Sequence, residues 1–190
     1  MNQHSSYQIT DICHYLMEQQ VKAGDICIDA TAGNGNDTEY LCQLAGQEGK
    51  VYAFDIQEEA LRHTKERLDK KGWQAELILD SHDRMADYVK ECGKISCIVF
   101  NFGYLPGGSH DLATRPESSV RAIEEGLKLL KKDGALCLCI YSGKDSGFAE
   151  REAILSRLKN LDSKRYLVVT MEYYNRPNHP PLPVLVKKLY

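Results

Sequence analysis

A glycine-containing stretch, Asp29-Ala-Thr-Ala-Gly-Asn-Gly-Asn-Asp-Thr38, combines residue types that can bind a nucleotide-like cofactor. It follows the apolar run Ile26–Ile28 and precedes a helix-like segment, so it predicts a strand, a turn and a helix start. Gly33 and Gly35 can take positive φ and let the backbone approach a ligand closely. Three residues directly after Gly35 can satisfy free N–H groups at the helix N-terminus: Asn36, Asp37 and Thr38.

The residues around this turn favour a methyl donor over a dinucleotide. A dinucleotide fingerprint has a third glycine three residues after the second, and Thr38 stands there. Asp29 is suited to the cationic amino group of S-adenosylmethionine, directly or through water. Asp55 lies 20 residues beyond Gly35, at the end of the next apolar run, where an acidic side chain can accept hydrogen bonds from both ribose hydroxyls. Alternatively, Asp55 only caps the following helix.

The polar turn Asp80-Ser-His-Asp83 follows the third apolar run, where an adenine edge would lie. Ser81 and His82 are therefore candidate adenine contacts. A lone histidine in a polar turn is more often a helix-capping or surface residue, and that interpretation stays open.

The loop Asn101-Phe-Gly-Tyr104 is a candidate acceptor site. It resembles the Asn-Pro-Pro-Tyr loop of amino-directed methyltransferases, with Phe102-Gly103 in place of the two prolines. The matching positions imply that Asn101 and the Phe102 carbonyl hold an acceptor amine, while Tyr104 stacks on it or shields it. Alternatively, Phe102 and Tyr104 only cap the core. His110 or Asp111 could accept a proton from an ammonium.

Methyl transfer is an in-line displacement at the methyl of a sulfonium ion, so the protein chiefly positions a nucleophile and excludes water. A neutral amine needs little acid–base machinery. The predicted roles are thus catalytic for Asn101 and Tyr104 and cofactor-binding for the residues of the turns.

Alternating strands and helices must position these residues. The predicted strands are residues 26–29, 51–54, 75–79, 95–100, 135–141, 166–173 and 183–188. The predicted helices are residues 7–21, 39–45, 58–71, 85–90, 117–131 and 148–158. The pattern predicts an α/β, Rossmann-like class I methyltransferase fold: a seven-stranded, mostly parallel sheet with a C-terminal antiparallel hairpin and helices on both faces.

Length and composition predict one globular domain over residues 1–190. The chain is 43% hydrophobic and 27% charged. No apolar run reaches the roughly 20 residues that span a bilayer, and the first residues lack the basic and apolar regions of a signal peptide. We therefore expect a cytoplasmic protein that does not bind a membrane.

The seven cysteines predict reduced core residues and no metal site, because no C-x₂-C pair or histidine cluster accompanies them. The formal charge of −3 gives no general attraction to nucleic acid. Local groups of lysine and arginine leave contact with a small folded RNA open.

Together, the turn at Asp29–Thr38, Phe54-Asp-Ile-Gln57, Ser81-His-Asp83 and Asn101-Phe-Gly-Tyr-Leu-Pro-Gly-Gly108 resemble the YtqB-type putative rRNA methylase family over nearly the whole chain. The resemblance implies S-adenosylmethionine binding. MnmM members of the family methylate the aminomethyl group of 5-aminomethyl-2-thiouridine at the tRNA wobble position, so a tRNA partner contacted at its anticodon region is implied. The cofactor contacts implied by the resemblance are Asn34, Asn36, Asp37, Asp55, Gln57, Ser81 and His82.

Two loops depart from the family pattern. Ser142 and Lys144 stand where relatives often carry histidines, and Arg176 and His179 stand where others are neutral or acidic. These changes leave the substrate details open, and they could equally strengthen contact with RNA phosphates.

Several alternatives stay open at the level of sequence. The chain could methylate rRNA or a small amine, could bind S-adenosylmethionine without catalysis, or could be a nicotinamide-dependent reductase. Apolar residues on the first helix could form a homodimer face, although covering the sheet is the simpler role.

Overall fold

The computed structural model describes residues 8–103, 115–142 and 144–190. Seven strands form one sheet in the order β3-β2-β1-β4-β5-β7-β6. Their bounds are β1 Ile26–Asp29, β2 Lys50–Asp55, β3 Glu76–Leu79, β4 Ile95–Phe102, β5 Leu130–Ile140, β6 Tyr166–Thr170 and β7 Leu182–Lys188. The first five strands pair in parallel, and β7 runs antiparallel to both β5 and β6. The predicted mostly parallel sheet with a C-terminal antiparallel hairpin is confirmed.

Six α-helices accompany the sheet in the described part of the chain. They are α1 Ile9–Gln20, α2 Asn36–Ala45, α3 Glu58–Lys71, α4 Met85–Tyr88, α5 Pro116–Leu129 and α6 Lys144–Lys159. The ends of α3 follow local rules: Glu58 and Glu59 lie in its first turn, Lys70 and Lys71 in its last, and Gly72 ends it in the left-handed conformation. A 3₁₀ turn, His82–Arg84, precedes α4.

The core lies on both faces of the sheet. On one face, Phe54, Phe100 and Leu136 pack with α4, α5 and α6. On the other face, Met17 of α1 and Leu41 of α2 pack against strand residues. Helices thus cover both faces, as predicted, because the central strands are apolar on both sides.

Most cysteines belong to this core. Six are buried and Cys92 is exposed, and all seven are free thiols. Within residues 8–103, 115–142 and 144–190, no group of three or more His, Cys, Asp or Glu side chains could hold a metal ion. No helix in the same ranges is long and apolar enough to cross a membrane.

Several boundaries differ from the sequence predictions. The segment Lys132-Asp-Gly134, which the sequence analysis left between the helix 117–131 and the strand 135–141, lies inside β5, whose register against β4 shifts there. Asp133 has φ 59°, and a Cβ on Gly134 would lie 2.8 Å from the Ile95 carbonyl oxygen. The strand therefore continues through a bulge that only a small residue permits. In addition, α6 begins at Lys144 rather than at Phe148, and β6 ends at Thr170 rather than at residue 173.

Candidate active site

The glycine turn after β1 is packed tightly against α3. Gly33 has φ 52° and Gly35 has φ 75°, and Gly35 is the N-cap of α2. A Cβ on Gly35 would lie 2.8 Å from Cα of Thr64 and 2.9 Å from its Oγ1. Glycine is therefore required at position 35 both for backbone conformation and for space.

Two side chains of α3 hold the backbone of this turn. Thr64 Oγ1 donates to the Gly33 carbonyl at 3.2 Å, and Arg67 Nε donates to the Asn34 carbonyl at 2.8 Å. Arg67 also reaches Glu39 of α2 at 3.1 Å. The sequence analysis missed Thr64 and Arg67, because nothing in the spacing of α3 distinguishes them from surface residues of an amphipathic helix.

Asp55, at the end of β2, joins the glycine turn to the start of α3. Its Oδ2 accepts the Gly33 N–H at 2.9 Å, and its Oδ1 accepts the Gln57 N–H at 2.9 Å. Gln57 is the N-cap of α3, so capping is one part of the role of Asp55. Burial raises the pKa of the Asp55 carboxyl above its ordinary value. A carboxylate can accept more hydrogen bonds than these, so Asp55 keeps capacity for a ribose hydroxyl.

Asp29, at the end of β1, is fully buried below the turn. Its Oδ2 accepts the Thr38 hydroxyl at 2.6 Å, and its Oδ1 accepts the Thr31 N–H at 3.1 Å. Burial and the nearby charge of Asp37 raise the pKa of Asp29 from 3.8 to about 7. Asp29 and Thr38 therefore brace the turn internally, and contact between Asp29 and a cofactor amino group stays a prediction.

A hydrogen-bonded chain connects the acceptor residue Asn101 to α2 and α1. Asn101 Nδ2 donates to Asp37 Oδ2 at 2.7 Å, and His14 Nε2 lies 2.7 Å from Asp37 Oδ1. The Asn101 backbone N–H donates to Thr31 Oγ1 at 2.8 Å. Because the amide nitrogen faces Asp37, the Asn101 Oδ1 is directed away from that carboxylate and can accept a hydrogen bond from an amine.

His14 is a third residue that the sequence analysis missed. The apolar spacing of α1 explains Ile9, Cys13, Leu16 and Met17 as core residues, and His14 lies beside that stripe. A polar residue flanking an apolar helix face has no distinguishing signal, since many such residues only face water.

The residues that follow Asn101 have divided roles. The Phe102 side chain is buried and stacks on Phe100 with ring centroids 5.1 Å apart, so it belongs to the core. The Phe102 carbonyl accepts the Tyr141 N–H at 3.1 Å, which leaves one lone pair for an acceptor amine. The predicted residues Tyr104, His110 and Asp111 lie outside the described residues.

His82 lies under the rim of the sheet instead of on the surface. It is 8% exposed, and its ring meets the edges of Phe100 and Phe102 at 6.1 and 6.0 Å. Burial lowers the pKa of His82, which favours the neutral imidazole, and its Nε2 has no hydrogen-bond partner among the described residues. A buried, unpaired ring nitrogen is compatible with the predicted cofactor contact.

The remaining predicted contacts lie at the same edge of the sheet. Asn34 and Asn36 are exposed on the turn and at the first residue of α2, and Ser81 is half-buried before the 3₁₀ turn. The structure thus brings Gly33 to Asp55, and Asp37 to Asn101.

Aromatic and basic residues line the rim beyond Asn101. Tyr141 follows β5 and lies against Gly103, where an added Cβ would be 3.2 Å from the Tyr141 Cβ. Arg176 lies over the Tyr173 ring at 4.9 Å, and Tyr174 is fully exposed. The Phe148 and His179 rings meet edge to face at 5.2 Å.

The chain is similar to known proteins over most of its length. A family model described as "Putative rRNA methylase" matches residues 51–187. The chain is 32% identical over 189 residues to the chloroplastic tRNA (mnm(5)s(2)U34)-methyltransferase of Arabidopsis thaliana. This match covers 94% of this chain and 69% of that protein.

Two crystal structures share the fold at higher sequence identity. One, described as a putative rRNA-methylase from Clostridium thermocellum, is 37% identical with a TM-score of 0.93, covering 96% of this chain and 98% of that one. The other, described as a putative methyltransferase from Streptococcus mutans in complex with SAH, is 37% identical with a TM-score of 0.87. The match covers 96% of this chain and 99% of that one.

Proposed function

The chain belongs to the putative rRNA methylase family, and from this premise we propose that it methylates the aminomethyl group of 5-aminomethyl-2-thiouridine at the wobble position of tRNA, using S-adenosylmethionine. Membership confirms the resemblance indicated by the sequence motifs. The observation that carries the proposal is the hydrogen bond from the Asn101 amide nitrogen to Asp37 at 2.7 Å, in a chain 32% identical to a tRNA (mnm(5)s(2)U34)-methyltransferase.

The residues at the carboxyl ends of β1 and β2 fit S-adenosylmethionine. The turn at Gly33 and Gly35 brings backbone close to a ligand, and Asp55 presents carboxylate lone pairs beside it. The Streptococcus mutans relative was solved with SAH, the demethylated product of this cofactor. Bound here, S-adenosylmethionine supplies a methyl group from a sulfonium sulfur, which keeps the electron pair of the broken bond.

Asn101 is the residue that orients the acceptor. Its Oδ1 accepts an N–H of the neutral amine, and this directs the amine lone pair instead of consuming it. Asp37 accepts from the Asn101 amide nitrogen, and Thr31 accepts from the Asn101 backbone N–H, so both the side chain and the backbone of this residue are held. Tyr104 is proposed to cover the acceptor base.

RNA is the substrate class of the family, and we place the anticodon region on the rim beyond Asn101. Arg176 and Arg151 add positive charge there, while Tyr173 and the exposed Tyr174 offer rings on which bases can stack. Local charge is needed because the formal charge of the whole chain is −3.

Labelled S-adenosylmethionine and tRNA lacking the final methyl group test the proposal. After digestion, the methylaminomethyl nucleoside should carry the label, and Asn101→Ala should lower the rate by about 10²-fold or more. Asn160→Ala, an exposed asparagine after α6, is the matched control and should keep the wild-type rate. Label found only in ribosomal subunits or in a free amine would contradict the tRNA substrate and select the alternative acceptor.

A further inference from the structure

The imidazole of His14 is held in one plane. It stacks on the Tyr40 ring with centroids 4.0 Å apart and an interplanar angle of 10°. Tyr40 is itself tied to α1, because its hydroxyl donates to Glu18. His14 therefore presents Nε2 in a defined direction, between α1 and the first turn of α2.

That direction is occupied by the Asp37 carboxylate. His14 Nε2 lies 2.7 Å from Asp37 Oδ1, and Asp37 is only 9% exposed. Asp37 lies in the first turn of α2, where the helix dipole favours a negative charge. With Asp37 ionised, the proton of this contact lies on His14 Nε2, which donates to the carboxylate.

The other oxygen of Asp37 determines how the Asn101 amide is oriented. A carboxylate only accepts hydrogen bonds, so it pairs with the amide nitrogen and not with the amide oxygen. The 2.7 Å contact from Asn101 Nδ2 to Asp37 Oδ2 thus directs Asn101 Oδ1 away from this carboxylate. If the carboxylate could rotate, the amide would lose this orientation.

We infer that His14 is a positioning residue of the acceptor site, which acts through Asp37 to fix the Asn101 amide. This inference rests on the proposed function and adds a residue of α1 to its machinery. His14 does not contact the reacting atoms. Its hydrogen bond fixes the Asp37 carboxylate, which in turn fixes the Asn101 amide. Residues that do not touch the substrate commonly orient the residues that do.

Kinetics of two variants test the inference. His14→Ala removes the donor, whereas His14→Gln places an amide nitrogen at a similar reach from Asp37. We expect His14→Ala to lower kcat about tenfold on the tRNA substrate. The dissociation constant for S-adenosylhomocysteine should stay within about twofold, since a positioning role towards the acceptor leaves cofactor binding unchanged. His14→Gln should restore most of the rate.

A double-mutant cycle with Asn101→Ala separates positioning from general structural damage. If His14 acts through Asn101, His14→Ala should have little further effect on single-turnover rates in the Asn101→Ala protein. His63→Ala, which removes a partly exposed histidine of α3, is the control and should match the wild-type rate and melting temperature.

The outcomes separate the two hypotheses. No transfer by the wild-type protein to tRNA would overturn the proposed function, and the inference with it. Transfer by the wild-type protein with an unchanged kcat for His14→Ala would overturn the inference alone. Independent effects of the two substitutions, or a parallel loss of cofactor affinity, would also overturn it.

Discussion

The three carboxylates near the glycine turn share a residue type but differ in environment. Burial and the nearby Asp37 raise the pKa of the enclosed Asp29 to about 7. Burial also raises the pKa of Asp55, and its backbone hydrogen bonds partly oppose that shift. Asp37, which is nearly buried in the first turn of α2, pairs with His14 and Asn101. The positions of these side chains, more than their type, therefore separate internal bracing, turn closure and acceptor alignment.

Asp29 should make stability depend on pH. The folded protein holds the Asp29 proton more tightly than the unfolded chain, whose carboxyl pKa is near 3.8. The resulting stabilisation is present below pH 3.8 and is lost as the pH rises through about 7. Asp29→Asn should remove this loss, a change of a few kcal/mol at most in the free energy of unfolding between acidic and neutral pH.

Urea unfolding of both proteins at a series of pH values from mildly acidic to mildly alkaline measures this difference. Other carboxylates titrate in both proteins, so only the difference between the two curves is informative. Parallel curves would show that Asp29 ionises normally in the folded state.

At the scale of elements, the turn after β1 depends on α3 as much as on its own glycines. Thr64 and Arg67 hold turn carbonyls, and Asp55 at the end of β2 holds the Gly33 N–H. The turn is thus fixed by neighbouring elements before a ligand binds, which lowers the ordering cost of binding.

Gly35→Ala should disrupt this packing. The new Cβ would meet the Thr64 backbone at 2.8 Å as well as requiring a left-handed backbone, so α2 and α3 would have to separate. We expect the affinity for S-adenosylhomocysteine, measured by calorimetry, to fall by tenfold or more, on the order of 1.4 kcal/mol.

Gly72→Ala is the matched control, because Gly72 has φ 72° but no heavy atom within 4 Å of an added Cβ. It carries the conformational cost of about 1 kcal/mol without the clash, so it should lower the melting temperature slightly and leave affinity intact. Equal loss of affinity in both variants would indicate that backbone strain, and not the contact with α3, is responsible.

At the scale of the whole molecule, the sheet order brings distant segments to one edge. The carboxyl ends of β1, β2 and β4 are adjacent, so residues 29, 55 and 101 face a common site. One sheet contains strands from residue 26 to residue 188, and a single domain over residues 1–190 stays a prediction. Cytoplasmic location and a homodimer through α1 stay predictions.

Ligand binding should stabilise the whole chain if this edge is the cofactor site. S-adenosylhomocysteine at about 100 times its dissociation constant should add about 2.7 kcal/mol, which raises the melting temperature of a domain of this size by roughly 5–10 °C. Asp55→Asn should reduce the shift, because it weakens the closure of the turn. A shift with NAD and none with S-adenosylhomocysteine would favour the reductase alternative.

The sequence by itself predicted the fold class and the glycine turn, and it favoured S-adenosylmethionine over a dinucleotide as the cofactor. Those features depend on local periodicity and on residues close in the chain, such as Gly33, Gly35 and Thr38, whose roles follow from backbone chemistry. It also indicated Asn101, because the residue directly ends an apolar strand and matches a known loop. The bulge at Asp133 was not predicted, since a Gly-containing turn and a bulge have the same local signature.

Only the tertiary structure decided which side chains act together. His14, Asp37 and Asn101 are separated by 23 and 64 residues along the chain, yet two hydrogen bonds of 2.7 Å connect them. Thr64 and Arg67 reach the glycine turn in the same way, across an interface between helices. Hydrogen bonding depends on distance and direction in space, and these are set by how α1, α2 and α3 pack on the sheet and not by spacing in the sequence.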